Sequence, residues 1–241
     1  MAAHVQASLC NLFYNTRDVI TPFATLGKRL TAWRAAALLA LVMMLGGYFA
    51  TLNLFGWDAD TGQHPDERFM ALVAARLGSP GSLAEYLDSA RNPLNPRNAG
   101  FPFYVYGLLP QTLVHYTAAL LAPAAPDTGA PQAGNADGLD VARYLLVLKI
   151  GRAWSAAFAL LSIALVFLLG RRLYSTSAGL LAAALLALSA LPIQIAHFFT
   201  VDSAAACFAL LSMYWSSSPT THRLRWRPAI ARTMSYCGPF V

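Results

Sequence analysis

The sequence predicts an all-α integral membrane protein, and its composition, its apolar runs and the placement of its basic residues all support this class. Of the 241 residues, 57% are hydrophobic and 12% are charged, whereas soluble domains usually carry about a quarter charged residues. Several apolar runs approach the roughly 20 residues that a membrane-spanning helix needs. The formal net charge of +6 comes mostly from residues beside these runs, which indicates membrane orientation rather than nucleic-acid binding.

The apolar runs give the candidate spans. Four stretches approach the length of a crossing: 34–56, 101–122, 153–170 with its flanks, and 177–199. A fifth, 203–215, is shorter and is long enough to cross only if the residues before it, "HFFTVD", belong to the same span. Because about 20 apolar residues are needed for each crossing, length alone does not decide how many of the five cross.

The positions of lysine and arginine test that count, because these residues favour the cytoplasmic side of a span. Lys28, Arg29 and Arg34 precede the first run and place the N-terminus inside. Arg171 and Arg172 lie in a very short connection between two runs and also indicate the inside. If the first four runs all crossed, this connection would emerge outside. One of the four is therefore predicted not to span.

The stretch "FPFYVYGLLPQTLVHYTAALLA", residues 101–122, is the weakest span. It contains a proline and several polar side chains, a composition typical of an interfacial helix in the headgroup region. These are Tyr104, Tyr106, Pro110, Gln111, His115 and Tyr116. With this stretch lying flat, about four crossings remain, at 34–56, 153–170, 177–199 and about 199–216, and every basic cluster falls inside.

This topology divides the chain into three parts. Residues 1–33 form a cytoplasmic segment ahead of an uncleaved signal anchor, and 34–216 form the membrane module with an outer loop at 57–152. Residues 217–241 form a basic cytoplasmic tail in which Arg, Pro and Ser replace the apolar pattern. The tail is interpreted as the product of a truncation or frameshift, or else as a segment that touches anionic lipid.

The outer loop contains a predicted helix in "HPDERFMALVAARLG". Pro65 suits the first helical position, Asp66 and Glu67 suit the first turn, and Gly78 suits the stop. Its broad apolar face is expected to lie on the membrane. That face consists of Phe69, Met70, Leu72, Val73 and Leu77. The Pro, Gly and Ala-rich stretch 122–140 is predicted to be a flexible connection.

The order of motifs resembles a known family. A first span is followed by "HPDERF", a second outer helix, "GRAWSAAFALLSIALVFLLGRRLYS" and "AGLLAAALLALSALPIQIAHFFTVD". This order resembles the lipid-carrier-dependent glycosyltransferases of the GT-C class, specifically the protein O-mannosyltransferase-like group, over about residues 30–215. The resemblance implies an N-terminal portion of such an enzyme, a helical bundle with about four spans and amphipathic outer-face helices. It also implies transfer of a hexose, with mannose as one option, from a polyprenyl-phosphate donor to an acceptor hydroxyl.

The resemblance also implies roles for five residues. Asp66 matches the family's catalytic aspartate, which would deprotonate the acceptor hydroxyl as a general base. Glu67 is the second candidate catalytic residue, and its alternative role is to orient the helix or the acceptor. Asp202, Arg152 and His197 are the candidate substrate-binding residues, with the Arg152 guanidinium suited to the carrier phosphate.

Each of these residues also has a purely structural interpretation. Asp66 and Glu67 can be acids that favour a helix start, and Asp202 can end a span at the interface. Arg152 can be an anchor that snorkels to water.

Other polar residues are given structural roles. Asp58 and Asp60 are interpreted as solvated loop acids. The tyrosines of residues 101–122 are interpreted as an aromatic belt, with a sugar-stacking platform as the alternative. No cofactor is required, and a divalent metal is neither required nor excluded, because the histidines lack zinc-like spacing. The histidines in question are His64, His115 and His197.

The predicted partners are a polyprenyl-phosphate-linked sugar, the lipid bilayer and an acceptor that is a protein, a lipid or a glycan, without nucleic acid. The predicted location is the plasma (inner) membrane, multi-pass, with a cytoplasmic N-terminus. The alternative is a non-catalytic remnant or subunit of such an enzyme; a transporter ranks last because ionisable residues lie near span ends. Three widely spaced cysteines indicate neither a disulfide framework nor a metal site.

The predicted topology can be tested by cysteine labelling. In a variant without the native cysteines, Asp66→Cys and Arg171→Cys should react from opposite sides of the membrane, because an even number of crossings separates the N-terminus from the 171–172 connection. A membrane-impermeant maleimide applied to intact cells should label residue 66, and residue 171 only after permeabilisation. Labelling of both residues from the same side would contradict the topology.

Overall fold

The structure is a computed structural model that describes residues 32–59, 62–122 and 140–217. Within these ranges all regular structure is helical, which confirms the predicted all-α class. Predictions about the N-terminal segment, Asp60, most of the 122–140 connection and the basic tail concern residues outside these ranges. The helices are α1 (Ala32–Thr51), α2 (Pro65–Arg76), α3 (Leu83–Leu87), α4 (Leu108–Leu121), α5 (Val141–Leu173), α6 (Thr176–Leu188), α7 (Ala190–Ala196) and α8 (Asp202–Ser216).

Two helices of the described ranges, α1 with 20 residues and α5 with 33, are long and apolar enough to cross a membrane. Helices α6 and α7 form a third candidate if the pair, which is bent by 60°, counts as one span. Helix α8 has 15 residues and extends about 22 Å at 1.5 Å per residue, short of the roughly 30 Å hydrocarbon core. The fourth crossing therefore stays a prediction.

The break between α6 and α7 has a local cause. Pro192 is the third residue of α7, so its ring would clash with the carbonyl of Leu188, four residues earlier, and it has no N–H to donate to that carbonyl. Helix α6 ends at Leu188, and Ser189 is extended. The stretch predicted as one straight span over 177–199 is therefore two helices.

The weakest predicted span forms a short helix. Helix α4 has 14 residues, about 21 Å at 1.5 Å per residue, and residues 101–107 before it are not helical. It is too short for a full crossing, in keeping with the prediction that this stretch does not span. Its buried side, which includes Val114 and Ala118, packs against Met70 and Ala74 of α2.

The limits of α2 agree with the sequence prediction. The helix begins at Pro65, carries its two acids in the first turn and ends at Arg76, two residues before Gly78. The prediction that its apolar face lies on the membrane is wrong. Met70 and Val73 are fully buried within the protein, because α4 and the loop that carries Leu94 and Phe101 cover that face.

The chain divides into two compact units. The loop unit comprises Gly46–Leu161 and Ser189–Ala206, and it contains α2, α3, α4 and α7. Among the described residues, the hairpin unit comprises 32–45, Ser162–Leu188 and 207–217.

The hairpin unit contains a close crossing of two helices at a pair of glycines. A Cβ placed on Gly170 of α5 would lie 2.6 Å from the Cα of Gly179 in α6. The backbone N–H groups of Tyr174 and Ser175 donate to the carbonyl of Gly170 and close the turn. The Ser175 hydroxyl accepts from the N–H of Ala178 and caps α6. Small residues at such a crossing allow two apolar helices to pack by backbone contact.

Substitution of either glycine should destabilise the fold. Gly170→Ala and Gly179→Ala force the backbones apart, at an overpacking cost of about 1–3 kcal/mol, against a gain in helix propensity of about 1 kcal/mol. The control is Gly47→Ala, whose Cβ would be in ordinary contact with Leu160, 3.7 Å away. Thermal unfolding in detergent, followed by circular dichroism, should show a lower Tm for Gly170→Ala and Gly179→Ala than for Gly47→Ala. Equal Tm values for all three variants would contradict the close crossing.

Candidate functional site

A buried arginine lies at the centre of the loop unit. Arg152 projects from α5, and its side chain has no solvent-exposed surface. Its two terminal nitrogens donate to the two carboxylate oxygens of Asp58, Nη1 to Oδ1 at 3.0 Å and Nη2 to Oδ2 at 2.7 Å. The Asp58 side chain is fully buried as well. The interpretation of Asp58 as a solvated loop acid is therefore wrong.

Glu67 contacts the same guanidinium from a different side. Arg152 Nε donates to Oε1 of Glu67 at 2.8 Å, and Nη2 donates to Oε2 at 2.9 Å. The backbone N–H of Phe199 also donates to Oε1 of Glu67 at 2.8 Å. Nη1 further reaches the carbonyl of Leu54 at 3.5 Å. Protein acceptors thus account for the hydrogen-bonding capacity of the guanidinium.

The cluster of Arg152, Asp58 and Glu67 carries one positive and two negative charges. Such a buried cluster is stable only if hydrogen bonds replace the lost water. Charge-assisted bonds with bidentate geometry provide most of this replacement, and the N–H of Gly62 adds a bond to Oδ2 of Asp58 at 3.0 Å. The Trp57 ring lies 5.5 Å from the guanidinium carbon, within the range of a cation–π contact.

This geometry bears on two predicted roles. It disfavours carrier-phosphate binding by Arg152, because a phosphate would have to displace two buried carboxylates. It also disfavours direct chemistry by Glu67, since that carboxylate is buried and fully engaged. For Glu67 the geometry favours the alternative of orienting α2. Both roles stay predictions, and the structure makes positioning the better interpretation of each.

Glycine at position 151 allows the Phe199 backbone to reach Glu67. A Cβ on Gly151 would overlap the Phe199 ring, and that ring is fully buried in the same apolar cluster as Met70 and Leu148. The N–H of Phe199 donates to Glu67, so Phe199 contacts Gly151 with its ring and Glu67 with its backbone. Gly151, through Phe199, and Arg152, directly, therefore both contribute to the contacts that hold Glu67.

Asp66 has surroundings unlike those of its neighbour Glu67. Its carboxylate is exposed at the start of α2, and the hydroxyl of Tyr106 donates to Oδ1 at 2.8 Å. This hydrogen bond is the main reason why the pKa of Tyr106 is raised above its ordinary value, followed by burial and by the negative charges of Asp66 and Asp202. Asp202 is exposed in the first turn of α8. The charges of both carboxylates therefore raise the pKa of the Tyr106 phenol, and Asp66 alone of the two is hydrogen-bonded to it in the described residues.

An aromatic cluster holds Tyr106 in place. Its ring centroid lies 6.0 Å from that of Phe69 and 5.8 Å from that of Tyr104. Burial is the main cause that raises the pKa of Tyr104 to about 12. The predicted aromatic belt of these tyrosines did not include the contact of Tyr106 with Asp66. The available signal was the alternation in "FYVY", which puts Tyr104 and Tyr106 on one side of an extended segment.

His197 connects two segments of the loop unit. Its Nδ1 lies 2.7 Å from the carbonyl of Ile193, and its Nε2 lies 3.0 Å from the carbonyl of Leu52, just after α1. Both ring nitrogens thus have backbone partners, so the substrate-binding role of His197 stays a prediction that the geometry does not favour.

The other predicted histidines lie in separate environments. The ring of His64 packs on Phe198, with centroids 4.8 Å apart, and Nε2 of His115 hydrogen-bonds with the Ser79 hydroxyl at 3.0 Å. In the ranges that the structure describes, no group of three or more His, Cys, Asp or Glu residues has the geometry to hold a metal ion. Metal dependence stays open.

Comparison with known proteins gives a family match for part of the chain. Residues 149–232 match the family model of dolichyl-phosphate-mannose-protein mannosyltransferases. This segment is therefore similar to the protein O-mannosyltransferases. The match confirms the resemblance stated from the sequence over the segment that carries Arg152, His197 and Asp202, whereas Asp66 and Glu67 precede it. Searches of curated proteins and of solved structures each gave no match.

The family match covers less than half of the chain and continues past residue 217 into the predicted basic tail. Together with the apolar helices α1 and α5, it indicates an integral membrane protein related to membrane glycosyltransferases. The domain boundaries and the site residues stay predictions.

Removal of the buried guanidinium should be far more destabilising than removal of an exposed one. Arg152→Met leaves two uncompensated carboxylates in the interior, at a cost of about 3–5 kcal/mol. The control is Arg91→Met, which removes a 2.6 Å ion pair with Asp88 whose arginine side chain is 77% exposed, a contact worth about 0–1 kcal/mol. Chemical unfolding in detergent measures both losses, and equal, small losses would show that the cluster is not formed.

Proposed function

We propose that the protein is a membrane glycosyltransferase that transfers a hexose, with mannose the sugar named by the matching family, from a polyprenyl-phosphate donor to an acceptor hydroxyl. The observation that carries the proposal is the exposed Asp66 carboxylate, bonded to Tyr106 within reach of the charge of Asp202. The family match and the apolar helices support a reaction at a membrane.

The chemistry follows from the activated donor. The bond between the anomeric carbon and the carrier-phosphate oxygen breaks, and the phosphate leaves with the bonding electrons. The acceptor oxygen forms the new bond to that carbon as its proton passes to Asp66, the general base. Oδ1 of Asp66 already accepts a hydrogen bond from the Tyr106 hydroxyl, which makes Oδ2 the more basic oxygen and the assigned proton acceptor. Asp202 would hydrogen-bond and orient the acceptor hydroxyl.

The buried cluster contributes by positioning. Glu67 follows Asp66 directly, and Arg152 fixes Glu67 with two hydrogen bonds. The start of α2 is therefore held against α5, and the backbone position from which the Asp66 side chain projects is held with it. Such positioning is a large part of catalysis, because a misplaced base loses the advantage of its nearness to the substrate.

The proposal places this site on the outer face of the plasma membrane. The basic residues around the first span favour a cytoplasmic N-terminus, so Asp66, which follows that span, would face outward. The acceptor is then a protein, a lipid or a glycan on that side.

The test is sugar transfer by the full chain in membrane vesicles. With a polyprenyl-phosphate donor carrying labelled mannose, Asp66→Asn should reduce release of the carrier phosphate by about 10²-fold or more, the usual contribution of a general base. Asp88→Asn is the matched control, because Asp88 lies in the same outer loop and pairs with exposed Arg91. It should retain activity.

Two results would overturn the proposal. An Asp66→Asn variant as active as the wild type would remove Asp66 from the reaction. A correctly inserted wild-type chain that releases no carrier phosphate would favour the alternative, a non-catalytic remnant or subunit.

A further inference from the structure

We infer that Tyr106 is a positioning residue for Asp66: its hydroxyl holds one carboxylate oxygen and so aims the other at the acceptor hydroxyl. The inference rests on the proposed function and deepens it, because it adds a residue that no motif pointed to. It comes from the non-helical segment that precedes α4, forty residues along the chain from Asp66.

The geometry is that of a directed contact rather than of a tyrosine that happens to be near. The Tyr106 hydroxyl lies 2.8 Å from Oδ1 of Asp66, a usual length for a hydrogen bond from a hydroxyl. Its ring is restrained by Phe69, which belongs to the same helix as Asp66, and by Tyr104. The phenol and the carboxylate are therefore fixed to one another through both the polar bond and the ring packing.

The backbone before α4 sets the direction of the ring. In residues 103–106 the side chains alternate: Phe103 and Val105 are 76% and 67% exposed, whereas Tyr104 and Tyr106 are half-buried against Phe69. Successive side chains of an extended chain point to opposite sides. Tyr106, two residues after Tyr104, is thereby turned to the same side, toward the first turn of α2, which carries Asp66.

An aspartate needs such a partner to act in one orientation. The last torsion of the side chain is broad and roughly two-fold, so an exposed carboxylate rotates between several directions. Across the described ranges, the hydroxyl of Tyr106 is the one side-chain donor bonded to Asp66. This bond selects one direction in advance, which lowers the cost of reaching the reactive geometry.

Asp202 strengthens the same arrangement. Its negative charge, together with that of Asp66, disfavours loss of the phenol proton, and the pKa of Tyr106 is raised accordingly. Tyr106 therefore remains a neutral donor at physiological pH, and it does not compete with Asp66 as a base.

The kinetic test compares two tyrosines of the same segment. Tyr106→Phe keeps the ring and removes the donor, and it should lower kcat about tenfold or more while KM for the polyprenyl-phosphate sugar changes little. Tyr104→Phe is the control, because its hydroxyl contacts the carbonyl of Gly107 at 3.4 Å and the side chain of Gln111 and makes no bond to Asp66, and its kcat should stay within about twofold of the wild type. A normal kcat for Tyr106→Phe, or the same loss in both variants, would overturn the inference.

A spectroscopic test reads the contact without activity. Tyrosine can be replaced by a fluorinated tyrosine, whose lower ordinary pKa brings the titration into a tolerable pH range, and Tyr106 is assigned in the fluorine NMR spectrum by its loss in Tyr106→Phe. Asp66→Asn should lower the pKa of Tyr106, and Asp202→Asn should lower it by a smaller amount. A Tyr106 pKa that Asp66→Asn leaves unchanged would overturn the inference.

The two tests separate this inference from the proposed function. If the wild type transfers sugar, Asp66→Asn abolishes transfer and Tyr106→Phe is normal, the inference fails and the proposed function stands. If the wild type transfers no sugar, the proposed function fails and the catalytic part of the inference fails with it, even if the NMR titration shows the Tyr106–Asp66 bond.

Discussion

The arrangement of the candidate site depends on one buried guanidinium and on the two carboxylates that surround it. Arg152 lies 94 residues from Asp58 and 85 residues from Glu67 in the sequence, yet the structure joins the three side chains and leaves none of them with exposed surface. A charge removed from water requires partners in fixed places. The cluster therefore fixes the relative positions of three segments: the one after α1, the start of α2 and the middle of α5. The N–H of Phe199, which donates to Glu67, adds the segment before α8 to this set.

The adjacent acids Asp66 and Glu67 are separated in role by helix geometry. Successive residues of an α-helix point about 100° apart, so a helix that buries Glu67 against Arg152 turns Asp66 outward. One acid thus fixes the helix, and the other remains free for chemistry. The exposed Asp66 is in turn held by a hydrogen bond from Tyr106, whose ring packs in the aromatic cluster. The alternating side chains of the extended segment before α4 turn Tyr106 toward Asp66.

Local features of the sequence predicted local structure well. Pro65 and the acids after it located the start of α2, and the polar residues within 101–122 indicated a stretch that does not cross. The pairing of Asp58 with Arg152 lay beyond sequence reasoning, because no local pattern specifies a contact between residues 94 positions apart. Without knowledge of Arg152 as its partner, Asp58 is an acid in a loop after a span, and such an acid is expected to be solvated. The 33-residue length of α5 was missed for a related reason: polar residues before Arg152 interrupt the apolar run without interrupting the helix.

The most direct test of this account is a double-mutant cycle between Arg152 and Glu67, read by chemical unfolding of the full chain in detergent. The variants are Arg152→Met, Glu67→Gln and the double variant. If the buried cluster is formed as described, the double variant should be more stable than the sum of the single losses predicts, by about 1 kcal/mol or more, since the second change removes a charge that the first left unpaired. Losses that add within about 0.5 kcal/mol would mean that the two side chains do not interact, and the positioning of Asp66 would lose its physical basis.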